Sequence, residues 1–262
     1  MVKLFHRDFG TAGQPPLTLV HGLLGSSRNW QTAGRELAAD FHVCALDLRN
    51  HGQSPHAAAM DYATLAGDVL GWLNAHGLAR TTLLGHSLGG KVAMWLACHH
   101  PERVERLIVV DIAPRAYRSQ AHRAEFAAMH ELRLDLLRSR AEAELRFEAR
   151  VPDWAMRKFL VTNLECDEAG HWRWAINLPA LTTALPELER NPLAEGDRYT
   201  GPALWIVGGK SDYVQADDRE KIVAHFPQAR IGRIADSGHN PHIEARAEFV
   251  RLVREFLPGS TV

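Results

Sequence analysis

The stretch Thr81-Thr82-Leu83-Leu84-Gly85-His86-Ser87-Leu88-Gly89-Gly90-Lys91-Val92-Ala93-Met94-Trp95-Leu96-Ala97 decides the fold. A short apolar run reads as a buried strand, a Gly-x-Ser-x-Gly turn follows it, and a segment of helical composition comes next. In that context a serine sits on a sharp turn with its hydroxyl thrust out of the sheet edge. The glycines have a mechanical reason. Residues flanking such a turn crowd each other, and only glycine lets neighbouring backbone come so close. The amides after Ser87 open a helix, so they face an incoming negative charge. Ser87 is the candidate nucleophile, with a glycine-rich structural turn as the alternative.

A serine hydroxyl is a weak nucleophile at neutral pH and needs an imidazole to take its proton. The chain order expected for a serine in this context is serine, acid, histidine. Fifteen histidines are available. Most lie on expected surface helices, loops or strand starts and read as solvated or packed rings. His239 differs. It sits in Asp236-Ser237-Gly238-His239-Asn240-Pro241-His242, after an expected strand at 229–235 and before a helix from about 244 to 257. Glycine before it and proline soon after fix the loop shape. His239 is the candidate general base, and His242 is a supporting or helix-start residue.

A tetrahedral oxyanion needs two preorganised N–H donors. The amide of Leu88, directly after the serine, is one candidate. The second should come from an earlier loop after a strand. Leu17-Thr18-Leu19-Val20 is such a strand, and His21-Gly22-Leu23-Leu24-Gly25 follows it. Its glycines permit an irregular backbone that points an amide inward, with Leu23 the candidate.

Taken together, His21-Gly22, the Ser87 turn and Gly238-His239 resemble the α/β-hydrolase superfamily, and the resemblance runs the length of the chain. Three runs are closer still. His21-Gly22-Leu23-Leu24-Gly25-Ser26-Ser27-Arg28-Asn29-Trp30, Asp47-Leu48-Arg49-Asn50-His51-Gly52-Gln53-Ser54-Pro55-His56 and Val110-Asp111-Ile112-Ala113-Pro114 resemble the small serine esterases of the YbfF and ABHD-eleven types. The Arg-Asn-His-Gly-x-Ser-Pro run is the most specific of them. The resemblance implies a short antiparallel strand pair within residues 2–10.

Two aspartates compete to orient the imidazole. Asp111 ends the expected strand at 105–111, just after the helix that follows Ser87. Asp212 ends Leu204-Trp205-Ile206-Val207-Gly208-Gly209-Lys210-Ser211-Asp212, a strand running into a glycine turn. Both lie at the carboxyl ends of expected parallel strands, where open α/β sheets build their sites. The superfamily resemblance implies the Asp212 position. The closer esterase resemblance implies Asp111, those relatives generally lacking an acid at the other place. Asp111 is favoured and Asp212 stays open, the loser ordering its loop through backbone amides. Asp47 and Arg49 read as a pair that buttresses loops.

Composition narrows the class. The chain has 262 residues, 46% hydrophobic, enough for a substantial core in one large domain or a domain with an insertion. A net charge of −1, without a basic run, offers nothing to nucleic acid or to an anionic membrane. Three cysteines, an odd number without metal spacing, give no disulfide framework or metal motif. No apolar run approaches the roughly 20 residues of a membrane helix, and the amino terminus lacks the apolar segment of a signal peptide. The expectation is a cytoplasmic protein with a small-molecule substrate, no stable membrane insertion and no cofactor. Oligomeric state is not legible.

Apolar runs alternate with helical segments. Strands are expected near 17–21, 41–47, 81–86, 105–111, 202–208 and 229–235, and helices near 28–39, 61–76, 88–99, 215–226 and 244–257. Such alternation gives an α/β architecture, a mostly parallel central sheet flanked by helices. Residues 115–199 break the pattern. Helical spacing at 123–138, 142–150 and 154–163 marks a helical cap inserted between two core portions, 1–114 and 200–262. Trp154, Trp172 and Trp174 fall within it. The expected chemistry is hydrolysis of an ester or thioester through an acyl-serine. Carbon–carbon hydrolysis, lyase-like synthesis and cofactor-free haloperoxidation share the same residue set, and a non-catalytic binder could keep the fold.

Overall fold

The computed structural model describes residues 1–10, 13–118 and 120–258. Its strands are β1 (His6–Asp8), β2 (Pro16–Val20), β3 (His42–Leu46), β4 (Thr81–His86), β5 (Val104–Val110), β6 (Leu164–Cys166), β7 (Trp172–Trp174), β8 (Ala203–Gly208) and β9 (Ala229–Ile234). Its helices are α1 (Gln31–Leu37), α2 (Tyr62–Ala75), α3 (Leu88–His99), α4 (Gln120–Glu131), α5 (Arg140–Phe147), α6 (Trp154–Val161), α7 (Leu178–Leu188), α8 (Asp218–His225), α9 (Pro241–Glu244) and α10 (Arg246–Phe256). Seven strands form one sheet in the order β1-β3-β2-β4-β5-β8-β9, parallel throughout except for β1 on β3. The α/β expectation holds, with β4 at the centre.

The uninterrupted apolar strands follow from burial on both faces. Side chains alternate sides along a strand. Leu83, Leu107 and Val109 therefore join one core with residues of α2, α3 and α8, such as Leu65, Val92 and Ile222. Leu84, Ile108 and Val110 join the other, with Ala33 and Leu37 of α1 and Phe249 and Val253 of α10. Side-chain caps set several helix starts: Asp61 accepts from Thr64 N–H, Ser139 from Glu142, Asp153 from Met156 and Asn177 from Ala180.

Local differences from the expected pattern have physical reasons. The amino-terminal pair within 2–10 is a single strand, β1, because its partner is the distant β3 rather than a neighbouring hairpin arm. The segment expected as one helix at 123–138 is α4 followed by a 3-10 turn at Leu134–Leu136. The helix expected from 244 breaks at Ala245 into α9 and α10. Among the described residues, four α-helices and a small antiparallel pair, β6-β7, lie between β5 and β8. The hairpin and α7 were not expected. Trp172 and Trp174 flank Arg173 on β7, partly buried, whereas Trp154 is 62% exposed at the start of α6. No helix among the described residues is long and apolar enough to cross a membrane.

Candidate active site

Each residue of interest follows the carboxyl end of a parallel strand, where the sheet's loops converge. Ser87 follows β4. Its φ of 50° and ψ of −116° lie outside the ordinary regions, and its N–H donates to Val110 O at 3.0 Å. Such backbone costs on the order of 1–3 kcal/mol and persists only where neighbours hold it. The glycines meet that demand. A Cβ on Gly85 would lie 2.2 Å from Gly89 O, and one on Gly89 2.4 Å from Val20 O.

Asp111, just past β5, also has a φ of 50° and is fully buried. Its Oδ1 accepts Gly208 N–H at 2.9 Å. Its Oδ2 accepts the Ser211 hydroxyl and, at 2.8 Å, His239 Nδ1–H. A carboxylate only accepts, so His239 carries a proton on Nδ1, and in the neutral ring Nε2 is then the acceptor. Asp212 is exposed, and its backbone carbonyl accepts from the Gln215 amide. Of the two candidate acids, Asp111 is the one hydrogen-bonded to His239.

His239 sits in a braced loop. Glu244 accepts Gly238 N–H at 2.5 Å and Asn240 N–H at 3.0 Å, one amide on each side of the histidine. The Tyr213 ring stacks on the imidazole at 3.7 Å between centroids. Burial pushes the Tyr213 phenol up to about 12, so it stays neutral. From behind, His86 donates Nε2–H to the His239 carbonyl at 2.8 Å, joining the residue before Ser87 to the histidine loop. Burial, and then the nearby His239 and His242, hold His86 well below the usual imidazole range. Among the described residues, no hydrogen bond joins the Ser87 hydroxyl to His239 itself; such contacts often tighten only when substrate binds.

Ser87, Leu23 and Leu88 line one cavity of about 40 Å³, with Ile112, Leu185 and Leu188. Leu88 begins α3, whose first amides have no acceptor within the helix. Adjacent amides in the Leu23 loop are engaged. Leu24, at φ 59°, donates to His51 Nε2 at 3.2 Å, and Gly25 to Gly22 O at 3.0 Å. His51 in turn donates Nδ1–H to Arg49 O at 2.9 Å. The Arg-Asn-His-Gly run therefore shapes the loop that holds Leu23.

The expected Asp47–Arg49 pair does not form. Asp47 accepts Ser27 N–H at 2.6 Å and Gln53 N–H at 2.8 Å, whereas Arg49 grips Asp68 at 2.5 and 2.8 Å. Both acids are buried, and backbone turns brought them these partners. His242 packs on Trp30 and His86, at 4.3 and 4.8 Å between ring centroids. Sequence reasoning missed Ser211, Tyr213, Glu244 and His51. Only Glu244, an acid five residues after a loop histidine, carried any local signal, and that signal is weak.

Among the described residues, one donor set outside this region is close enough to consider for a metal. His6, Asp8 and Cys44 place ligand atoms within 4.8 Å of one another on the β1–β3 edge. Asp8 is already engaged by His42 at 3.0 Å, and burial pushes the Cys44 thiol up to about 12. That edge lies three strands from β4 in the sheet order.

The family model described as alpha/beta hydrolase fold matches residues 15–159. The sn-1-specific diacylglycerol lipase ABHD11 of Mus musculus is 35% identical over 95% of this chain and 82% of its own length. Esterase YbfF of Escherichia coli is 34% identical over 92% of each chain. A solved structure, a marine microorganism esterase, superposes with a TM-score of 0.95 at 34% identity, covering 98% of this chain and all of that one.

Proposed function

The chain belongs to the α/β-hydrolase fold family, among its YbfF- and ABHD11-type members, and on that premise we propose that it is a serine hydrolase of carboxylic esters, thioesters included. Ser87 attacks the carbonyl carbon while His239 Nε2 takes its proton. Asp111 fixes the tautomer and stabilises the imidazolium that forms. The amides of Leu23 and Leu88 hold the oxyanion. His239 returns the proton to the departing alkoxide or thiolate. Water, deprotonated by the same ring, then releases the acid from the acyl-serine. Residues 115–199 act as the cap over the serine, with 1–114 and 200–262 as the catalytic core.

The observation that carries this reading is the 2.8 Å bond from His239 Nδ1 to a buried Asp111 that is itself held by Gly208 and Ser211. It leaves a basic nitrogen on a ring already joined through His86 to the serine turn. The names of the relatives, an esterase and a lipase, support ester substrates. Hydrolysis of short p-nitrophenyl esters and labelling by a fluorophosphonate test it. Wild type should do both, and Ser87→Ala neither. Full turnover by the alanine variant would overturn the assignment.

A further inference from the structure

Lys91 lies one helical turn beyond Ser87 on α3, and its N–H donates to Ser87 O at 3.0 Å. It is only 3% exposed. Its ammonium reaches out of the core into the 115–199 segment. There it donates to Arg190 O at 2.6 Å, Glu189 O at 3.3 Å and Leu188 O at 3.4 Å. These are the last carbonyls of α7 and the turn after it, where a helix end favours a cation. The Tyr62 hydroxyl of α2 donates to the same Leu188 carbonyl. All three protons of the ammonium are thus committed to one turn.

That turn is a wall of the Ser87 cavity, through Leu185, Leu188 and Glu189. The cavity is about 40 Å³. A water-sized group occupies at least about 10–15 Å³ on this measure, so about three to four such groups fit beside the serine. Widening the cavity on this wall moves the end of α7, and that movement must break the bonds from Lys91 and Tyr62.

We propose that Lys91 is a positioning residue that sets acyl-chain length, by fastening the carboxyl end of α7 to the helix that carries Ser87. The inference rests on the serine reading above and extends it to substrate class: acyl groups of about two to four carbons, with longer chains admitted only when the tether releases. Burial, and then the neighbouring Arg115, bring Lys91 down to about 7, with Glu189 opposing them. The groups facing it are Tyr62 from α2, Arg115 and Tyr117 after β5, and Glu189 after α7, and His122 of α4 lines the same cavity. Loss of a proton removes one of the three donors, so the tether weakens as pH rises through neutrality.

The test is a series of p-nitrophenyl acetate, butyrate, octanoate and dodecanoate with wild type, Lys91→Met and Tyr62→Phe. Cooperative thermal unfolding confirms that each variant folds. Wild type should favour acetate and butyrate. Lys91→Met should raise the octanoate-to-acetate ratio of kcat/KM by about tenfold, mainly through KM, because a hydrophobic contact discriminates on that scale. Tyr62→Phe, a small change that keeps the ring, should shift the ratio the same way by less. The wild-type ratio should also climb from acid to alkaline pH, and that climb should vanish in Lys91→Met. Parallel losses at every chain length, or an unmoved ratio in folded Tyr62→Phe, overturn this inference and leave the serine reading intact. A wild type inert to the whole series overturns both.

Discussion

His239 Nδ1 lies 2.8 Å from Asp111 Oδ2 on a fully buried carboxylate that two further donors hold: Ser211 shares the same oxygen and Gly208 N–H takes the other at 2.9 Å. A buried acid so fully engaged has one orientation, and it passes that orientation to the imidazole. Asp212 hangs one residue beyond Ser211 and is exposed. Asp111→Asn should therefore lower kcat by about 10⁴-fold, as expected when the wrong tautomer is held, while Asp212→Asn should stay near wild type. Steady-state hydrolysis of p-nitrophenyl butyrate by both variants decides it. The reverse ranking would move the acid to Asp212.

Glu244 binds the amides on both sides of His239. Glu244→Ala should lower kcat by about 10- to 100-fold with little change in KM, since an ångström of misplacement in a reacting group costs this much. Glu244→Gln keeps an acceptor oxygen and should recover part of the loss. If the two variants behave alike, the bracing account is wrong.

Arg49 and Asp68 form a buried ion pair, with side chains 4% and 0% exposed. Arg49→Met strands the carboxylate, leaving the Val2 amide as its hydrogen-bond donor among the described residues. The variant should lose about 3–5 kcal/mol of stability. Urea unfolding measures it, and a loss below about 1 kcal/mol, the scale of an exposed pair, would show that the site relaxes or hydrates.

Burial pushes His51 and His242 down to about 3 from an ordinary 6.5, and His86 also lies well below that value. These rings are neutral in the folded protein and protonate readily when it unfolds. Between about 3 and 6.5 the unfolded chain binds more protons, so stability is fully present above 6.5 and falls as pH drops through this window. His242 Nδ1 is buried without a hydrogen-bond partner among the described residues. Replacing it by phenylalanine removes one titrating group and sacrifices no bond at that nitrogen. Urea midpoints measured across the window should depend less steeply on pH in His242→Phe. An equal slope in both proteins would mean that His242 is not among the groups responsible.

Local sequence determined the sheet, the Ser87 turn and the His239 loop. Their signals are short-range: apolar runs long enough for a doubly buried strand, glycines where backbone must touch backbone, and a loop histidine between glycine and proline. The partners of buried charges were a different matter. Arg49 reads as a partner of Asp47 two residues away, yet it pairs with Asp68, because a fixed backbone turn gave Asp47 to amides instead. Likewise Ser211 meets Asp111 across 100 residues, Lys91 meets the end of α7 across 99, and Tyr213 meets the ring of His239. A strand or turn follows from neighbours along the chain. Which acid faces which base, and how small the cavity beside the serine is, follow only from how distant loops converge at one edge of the sheet, since hydrogen bonding and packing depend on distances that sequence spacing does not carry.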